Sequence, residues 1–428
     1  MTAVWLLLAF IVAMVASVPI GVAMGIACFV PTLIDPTFTA NLAYITRSCF
    51  ASIDSTVTLA IPLFMLSGAI MTYGGLAKRL FDIIALVVGR IPGGMPSAVV
   101  ITCLFYGAIS GSGGATAVAV GTMCIPILVE LGYDKTYCGS LVAAAGGLGI
   151  IIPPSVPFLM YSLVTDVSVA DLFIAGIIPG ILIAAIMIIY TVVRFGRRED
   201  KAKIAKMNNE LKQRGVLRVL ADGFWALMTP VIILGGIYSG IVTPTEAACI
   251  SVVYSIIVCL FIYKTINLKQ LANIFVEGVR QFAPLGIMLV FAMVLMKIIT
   301  LLGVPTAVGN FINNTFTSKV AFLIALNIIF LIIGMFVDVG PAILIIAPII
   351  MNSALNMNVD PTHLGVIMIV NLAIGLVSPP FGMTLFVTAP LINESPLTIG
   401  KKSLPYIVCL LVALIIITFV PWLSLALV

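Results

Sequence analysis

The stretch Leu148-Gly149-Ile150-Ile151-Ile152-Pro153-Pro154-Ser155 lies inside a long apolar run and decides how the whole chain is interpreted. A second stretch repeats its pattern in the other half, Ile374-Gly375-Leu376-Val377-Ser378-Pro379-Pro380-Phe381. Two consecutive prolines remove two amide donors and clash with the preceding turn, so a helix cannot continue through them. In hydrocarbon such a break persists only where it lines a cavity or binds something, because unpaired peptide groups are costly there. The two proline pairs therefore predict two interrupted helices at membrane depth.

The composition is typical of a polytopic helical membrane protein. Of the 428 residues, 62% are hydrophobic and 9% are charged, with a mean hydropathy of +1.27, whereas a soluble domain is about 25% charged. A transmembrane helix needs about 20 mainly apolar residues, and nearly every window of that length qualifies. One histidine, His363, leaves no His-based metal site, and the sequence has no P-loop signature for ATP hydrolysis. We expect a lipid bilayer around the chain and no nucleic-acid partner.

The second half of the chain repeats the first at an offset of 226 residues. Six pairs fall at that register: Gly149 and Gly375, Pro153 and Pro379, Pro154 and Pro380, Gly139 and Gly365, Asp134 and Asp360, and Gly114 and Gly340. Five predicted crossings separate equivalent spans, and this odd number makes the repeats inverted. Inverted repeats with interrupted helices are typical of alternating-access carriers.

We predict an all-α membrane protein of two inverted repeats. The first repeat covers residues 1–193 and the second 223–428, and the linker 194–222 joins them. In each repeat two apolar arms, too short for a comfortable span, flank a polar tip and predict a re-entrant hairpin, followed by a broken helix. These elements are the hairpin 96–131 and broken helix 139–164, then the hairpin 320–355 and broken helix 362–390.

Charge placement orients the chain. The linker 194–222 holds nine of the 21 Lys and Arg residues, and placing it in the cytoplasm puts 18 of the 21 inside, as the positive-inside rule demands. We expect this linker to contain a short surface helix. The apolar run Ala3 to Leu33, nicked at Pro19, is interpreted as a retained membrane segment, either one tilted crossing or two segments. The more polar stretch Thr39 to Ser55 suits an interfacial helix.

Helix breaks expose carbonyl oxygens, which suit Na⁺ as oxygen ligands. We expect one Na⁺ between the first hairpin tip and the first break, and another between the second tip and the second break. The first-site candidates are Ser110, Gly111, Ser112, Gly149, Ile152 and Pro154, and the second-site candidates are Gly334, Asp338, Gly340, Gly375, Ser378 and Pro379. Alternatively, Gly and Pro permit only kinks and close packing, and Asp338 caps its own helix. No cofactor other than this coupling ion is expected.

An anionic substrate would be met by amides and hydroxyls at the tips and at half-helix N-termini after the breaks. The candidates are Ser112, Thr116, Ser155 and Thr384. Ser and Thr hydroxyls also bond to carbonyls of their own helix, which is the structural alternative at each position. For Glu246, which follows Pro244, a capping role in the first turn of its helix is favoured over a functional one.

Five motifs together resemble the large membrane subunit of tripartite ATP-independent periplasmic transporters, and the resemblance spans nearly the whole chain. They are Pro62 to Gly68, Ser110-Gly111-Ser112, Gly149 to Ser155, Thr243-Pro244-Thr245-Glu246 and Gly375 to Gly382. The resemblance implies an elevator-type, Na⁺-driven importer of organic acids, chiefly four-carbon dicarboxylates and sialic acids, in the bacterial inner membrane. It also implies a small four-helix membrane subunit and a soluble periplasmic substrate-binding protein. Since the sequence has no extra spans at either end, we expect the unfused form, with the small subunit encoded separately.

The sequence therefore predicts a Na⁺-coupled, binding-protein-dependent importer of an organic carboxylate. A stand-alone sodium/dicarboxylate symporter or antiporter of the same fold remains an alternative that would need no binding protein. A channel or a purely structural membrane subunit is a rival from another class, although channels do not usually need two inverted breaks. An enzyme is disfavoured, because no nucleophile, base and orienting group occur together.

Overall fold

The computed structural model describes residues 2–195, 215–316 and 318–428, and every regular element in these ranges is helical. Nine of the described helices are long and apolar enough to cross a membrane. The predicted all-α, multi-pass fold is confirmed. The helices of the first half are α1 (Thr2–Val15), α2 (Ile20–Ile34), α3 (Leu42–Ile53), α4 (Thr56–Tyr73), α5 (Leu76–Val88), α6 (Gly94–Ser110), α7 (Gly113–Glu130), α8 (Lys135–Gly146), α9 (Leu148–Ile151), α10 (Val156–Thr165) and α11 (Val169–Phe195).

The helices of the second half are α12 (Val216–Tyr238), α13 (Pro244–Ile257), α14 (Leu268–Leu301), α15 (Val304–Thr315), α16 (Lys319–Phe336), α17 (Val339–Asn356), α18 (Pro361–Gly375), α19 (Met383–Ile392), α20 (Pro396–Phe419) and α21 (Trp422–Leu425). They follow the order of the first half, with two fusions. The 34-residue α14 takes the place that α3 and α4 share, and α18 takes the place of α8 and α9. A π-helical turn (Val258–Ile262) extends α13, and α21 follows the counterpart of α11.

The first apolar run forms two helices. Helix α1 ends at Val15, α2 begins at Ile20 after Pro19, and the two pack alongside each other. Fourteen and fifteen residues at about 1.5 Å per residue are each shorter than a hydrocarbon core of about 30 Å. Of the two alternatives for this run, the structure therefore has two segments. Pro19 separates them because its ring cannot join an interior helical turn.

The linker is shorter than the predicted 194–222. Helix α11 continues through Phe195 and α12 begins at Val216, so residues 216–222 belong to a helix. Arg218 and Asp222 are four residues apart and therefore lie on one face of α12. Oppositely charged side chains at this spacing are compatible with a helix at a segment outside the hydrocarbon. The predicted surface helix falls largely on 196–214, outside the described residues.

The helices pack into two groups. Helix α13 packs on α4, and α14 packs on both α2 and α4, whereas the first hairpin and both broken helices pack with α11 or α20. The second hairpin packs on α18, and its arm α17 also contacts α10 and α14. The last span of each half crosses over, since α20 contacts α8 and α11 contacts α18. This exchange places segments of both halves in one body around the helix breaks.

Candidate functional site

The first break is a bend beside the first hairpin tip. Helix α9 ends at Ile151, α10 begins at Val156, and the flanking segments differ in direction by 42°. Pro153 has no N–H, so the carbonyl of Gly149 loses its helical donor. Hairpin arm α6 ends at Ser110, and arm α7 begins at Gly113. The tip and the break, predicted from separate motifs, lie against each other.

Two glycines bring the tip and the break together. A Cβ on Gly149 would lie 2.4 Å from Oγ1 of Thr116 and 2.8 Å from the carbonyl oxygen of Ser112. Gly111 has a φ of +61°, and a Cβ there would lie 3.0 Å from the carbonyl oxygen of Pro154. Only glycine adopts such a left-handed conformation readily. First-site candidates therefore face each other across backbone contacts.

Hydroxyl groups fix the shape of this tip. Thr116 donates from its hydroxyl to the carbonyl oxygen of Ser112 at 2.8 Å, and its oxygen lies 2.8 Å from Oγ of Ser110. Both Ser110 and Thr116 are buried, and Ser112 is half-buried. Ile152 and Pro154 are also buried. The tip offers hydroxyl and carbonyl oxygens in a closely packed surround, the ligand type that Na⁺ takes.

The second break repeats the glycine contact but not the hydroxyls. A Cβ on Gly375 would lie 2.3–2.5 Å from the backbone C, O and Cα atoms of Gly334. Helix α18 ends at Gly375 and α19 begins at Met383. The rings of Phe336 and Phe381, one from the tip and one from the break, lie 5.7 Å apart.

Two second-site candidates have other contacts. Asp338 accepts a hydrogen bond from the N–H of Val339 at 2.8 Å, so this exposed carboxylate caps α17. A Cβ on Gly340 would lie 2.9 Å from Cε of Met288 and 3.2 Å from Sδ of Met160. Gly340 thus packs on α14 and α10, while Gly334 carries the contact with the break.

Hydroxyls bond to the carbonyls freed by the prolines. Ser155 donates to the carbonyl oxygen of Ile150 at 2.6 Å, and Thr384 donates from Oγ1 to that of Leu376 at 2.7 Å. Ile150 and Leu376 are 226 residues apart, so equivalent carbonyls are satisfied in both halves. Ser378, just beyond the end of α18, donates to the carbonyl oxygen of Ile374 four residues earlier at 2.7 Å, which is the back-bonding alternative. Pro379 lies against α20, since a Cβ on Gly400 would lie 2.8 Å from its Cγ.

The substrate candidates divide by exposure. Thr116, Ser155 and Thr384 are buried with their hydroxyls engaged, whereas Ser112 is half-buried at the first tip, where its side chain caps α7. The two breaks approach each other nearby, because a Cβ on Gly147 would lie 3.3 Å from the carbonyl oxygen of Ala373. A Cβ on Gly113 would also lie 3.3 Å from Cδ1 of Leu376. The first tip therefore lies close to both breaks.

Sequence reasoning missed residues that support this arrangement. A Cβ on Gly107 would lie 2.6 Å from the Cα of Gly149, and one on Gly68 would lie 3.0 Å from the Cα of Ser110. Gly107 is 227 residues before Gly334, so the repeat register was a signal that could have found it. No comparable signal marks Gly68, because its contact with the tip is made only in the folded chain.

Glu246 has the structural role that was favoured. Its carboxylate accepts from the N–H of Thr243 at 2.7 Å, and the Thr243 hydroxyl oxygen accepts from the N–H of Glu246 at 3.3 Å. This reciprocal pair is a capping box at the start of α13. The predicted capping of this helix is confirmed.

Comparison with known proteins places this architecture in a family. Residues 7–423 match the family model described as the DctM component of the tripartite ATP-independent periplasmic transporter. The chain is 38% identical over 412 residues to the isethionate TRAP transporter permease protein DctMQ of Oleidesulfovibrio alaskensis, covering 96% of this chain and 64% of that relative. It is 39% identical over 380 residues to the C4-dicarboxylate TRAP transporter large permease protein DctM of Pseudomonas aeruginosa, covering 88% and 87%.

A solved structure shares the fold. The YdaH transporter of Alcanivorax borkumensis superposes with a TM-score of 0.67, covering 91% of this chain and 90% of that chain at 14% sequence identity. At that identity the likeness concerns the fold alone. The family match spans nearly the whole chain. Because the similar proteins are named as transporter permeases, the family indicates a transporter role rather than an enzymatic one. The chain belongs to the DctM family of tripartite ATP-independent periplasmic transporter components.

Proposed function

We propose that this protein is a Na⁺-coupled importer of an organic acid, in which each hairpin tip and its facing helix break hold one Na⁺. The observation that carries the proposal is the close approach of a hairpin to a glycine at each break, Gly149 or Gly375, which we call a glycine crossing. Gly149 meets Ser112 and Thr116, and Gly375 meets Gly334. At the first break the carbonyl of Gly149 loses its helical donor to Pro153, whereas at the second the carbonyl of Gly375 accepts from the N–H of Ser378 at 3.0 Å. Half-helix C-terminal ends add partial negative charge at both breaks.

The substrate is proposed to be a four-carbon dicarboxylate or a sialic acid, delivered by a periplasmic binding protein. The names of the similar permeases include a C4-dicarboxylate and a sulfonate, isethionate, so the shared chemistry is a small organic anion. Ser112 is the one substrate candidate whose side chain is partly accessible in this conformation. A small four-helix membrane subunit completes the transporter in the bacterial inner membrane, with the linker in the cytoplasm.

Movement is proposed to be of the elevator type. The hairpins and broken helices would move as one unit. Helices α11 and α20, which pack against the broken helices, would move with them. Helices α2, α4, α13 and α14 would form the scaffold with the small subunit. Gly68, on scaffold helix α4, lies against Ser110 of the moving tip, and a small residue at this contact lets the two backbones approach closely.

Uptake into proteoliposomes tests this function. The chain is reconstituted with its small subunit, and a radiolabelled four-carbon dicarboxylate is supplied with and without the binding protein. We expect accumulation only with an inward Na⁺ gradient and with the binding protein. Undiminished accumulation when choline replaces Na⁺ at fixed pH would contradict the coupling. Equal uptake without the binding protein would favour the stand-alone symporter or antiporter, and uptake without saturation or accumulation a channel.

A further inference from the structure

Two asparagine side chains form a polar pair beside the second break. The side-chain nitrogen of Asn371, on α18, donates to Oδ1 of Asn327, on α16, at 2.5 Å and to the carbonyl oxygen of Ile367 at 3.0 Å. Asn371 is fully buried and Asn327 half-buried. Neither belongs to the cation or substrate candidates above. An amide in such a position is costly unless it is bonded, so the pair needs a physical explanation.

The pair is the centre of a longer network. Asn327 donates to Oγ1 of Thr418, on α20, at 3.2 Å. The carbonyl oxygen of Thr418 lies 3.3 Å from Nε2 of His363, near the start of α18, and Nδ1 of His363 lies 3.2 Å from Oγ of Ser424. The network therefore ties a hairpin arm and the last span to the first half of the broken helix.

The pair lies on the same interface between α16 and α18 as the contact of Gly334 with Gly375. Asn371 precedes Gly375 by four residues and Asn327 precedes Gly334 by seven, and both spacings keep residues on one face of a helix. Helices α16 and α18 thus meet twice, through amides and then through glycines one to two turns farther on. Fixing the first contact fixes the position of the second.

The first half has no such amides. The residues 226 positions before Asn327 and Asn371 are Ile101 and Ala145. The first tip is instead held by the hydroxyls of Ser110 and Thr116. At the second tip the equivalent positions carry Phe336 and Ala342, so this tip lacks that means of fixing itself.

One atom of the pair is not engaged. Oδ1 of Asn371 is buried and accepts no hydrogen bond within the part of the chain that the structure describes. Within that part, Asn371 therefore joins α16 to α18 through its side-chain nitrogen.

We propose that Asn327 and Asn371 are positioning residues for the second cation site. Their hydrogen bond fixes hairpin arm α16 on α18, and so holds Gly334 against Gly375 at the spacing that the second cation site requires. This inference rests on the proposed function. Loss of the bond lowers the apparent affinity for Na⁺, while the maximum rate at saturating Na⁺ persists because the moving unit stays intact.

The test uses Asn371→Leu, Asn327→Leu and the double variant in the full chain with its partners. The half-saturating Na⁺ concentration for uptake is expected to rise about three- to tenfold, the range supported by one hydrogen bond between membrane helices. The maximum rate is expected to change little, and the double variant to be no worse than the more affected single variant. Na⁺-dependent thermal stabilisation of the purified chain is the second readout and should weaken in parallel.

Tyr137→Phe is the matched control. Tyr137 occupies the position equivalent to His363, and its hydroxyl lies 2.8 Å from that of Tyr406 on α20. The control removes a buried hydrogen bond between a broken helix and the last span, but away from the second break, and should leave the half-saturating Na⁺ concentration unchanged. If the leucine variants fail to fold, Asn371→Ser and Asn327→Ser replace them, since serine is too short to make the bond.

Unchanged half-saturating Na⁺ in folded Asn327 and Asn371 variants would overturn the inference, as would an equal shift in Tyr137→Phe. The failure of the proposed function is distinguishable, because the wild-type protein itself would then show no Na⁺ dependence of uptake or stability. That result would remove both proposals together.

Discussion

The two tip-and-break regions share a backbone plan but differ in side chains. At the first, Ser110, Ser112 and Thr116 bond to one another beside Gly149. At the second, the equivalent tip positions are Phe336, Asp338 and Ala342, and backbone meets backbone at Gly334 and Gly375.

The comparison shows that the interrupted helices need no hydroxyl cluster at the tip, since the proline pairs and the glycine contacts are common to both halves and that cluster is not. The side chains then determine how firmly each tip is held. The first region is fixed at the tip itself by buried hydroxyls. The second is fixed one to two helical turns away from the glycine contact, by the hydrogen bond of Asn371 to Asn327 between α18 and α16.

The largest effect is expected from Gly375→Ala. Its Cβ would overlap the Gly334 backbone, which cannot rotate away as a side chain can. Overpacking typically costs about 1–3 kcal/mol, and about 1.4 kcal/mol is tenfold in affinity. We expect the half-saturating Na⁺ concentration to rise about tenfold or more, with a lower thermal unfolding midpoint.

Gly235→Ala is the control for that variant, because a Cβ there meets nothing within 4 Å and alanine favours a helix. Gly149→Ala sharpens the comparison. Its nearest contact is the Thr116 side chain at 2.4 Å, so Thr116→Ala should partly restore the thermal unfolding midpoint of Gly149→Ala by relieving this overlap. Equal tolerance of alanine at Gly375, Gly149 and Gly235 would contradict the role of the crossings.

Thr116→Val tests the hydroxyl cluster of the first region. The change removes the hydroxyl bonded to Ser112 and Ser110 while preserving shape, and a buried hydrogen bond contributes about 0.5–1.5 kcal/mol. We expect the half-saturating Na⁺ concentration for uptake to rise about two- to tenfold. Thr122→Val, on the same helix, removes an exposed hydroxyl bonded only to Val118 and should have no effect. A matching response in the two variants would refute the specific role of Thr116.

Asp338→Asn tests the charge at the second tip and should have the smallest effect. Asparagine caps a helix about as well as aspartate, so α17 should remain intact. An exposed charge contributes about 0.2–1 kcal/mol, and we expect about a two- to threefold rise in half-saturating Na⁺. Asp338→Ala, which also loses the cap at Val339, should be worse. If Asp338→Asn transports with wild-type Na⁺ dependence and only Asp338→Ala is impaired, Asp338 is a cap and not part of the cation site.

The sequence was sufficient to predict the helix breaks, because the lost N–H and fixed ring of proline act locally wherever the chain folds. The repeat register likewise pairs Gly149 with Gly375 from the sequence alone. The contacts of Gly68 with Ser110 and of Asn371 with Asn327 could not be predicted, since they join residues 42 and 44 positions apart through helix packing.

Some local features also could not be predicted from the sequence pattern alone. The run around Pro19 allowed one crossing or two segments, and the choice depends on how α1 packs against α2. The start of α12 at Val216 was missed because Arg218 and Asp222 were counted as linker charges, although their spacing suits a helix. For Ser155 and Thr384, the carbonyls that they bond became evident only from the turn geometry at each break.

The central claim is that each tip-and-break region holds one Na⁺. Equilibrium binding of radioactive sodium to the purified chain tests it most directly, in the wild type and in Gly149→Ala and Gly375→Ala. The account predicts two Na⁺ bound per wild-type chain and one in each variant at the same Na⁺ concentration. No binding to the wild type, or two Na⁺ retained in both variants, would contradict it.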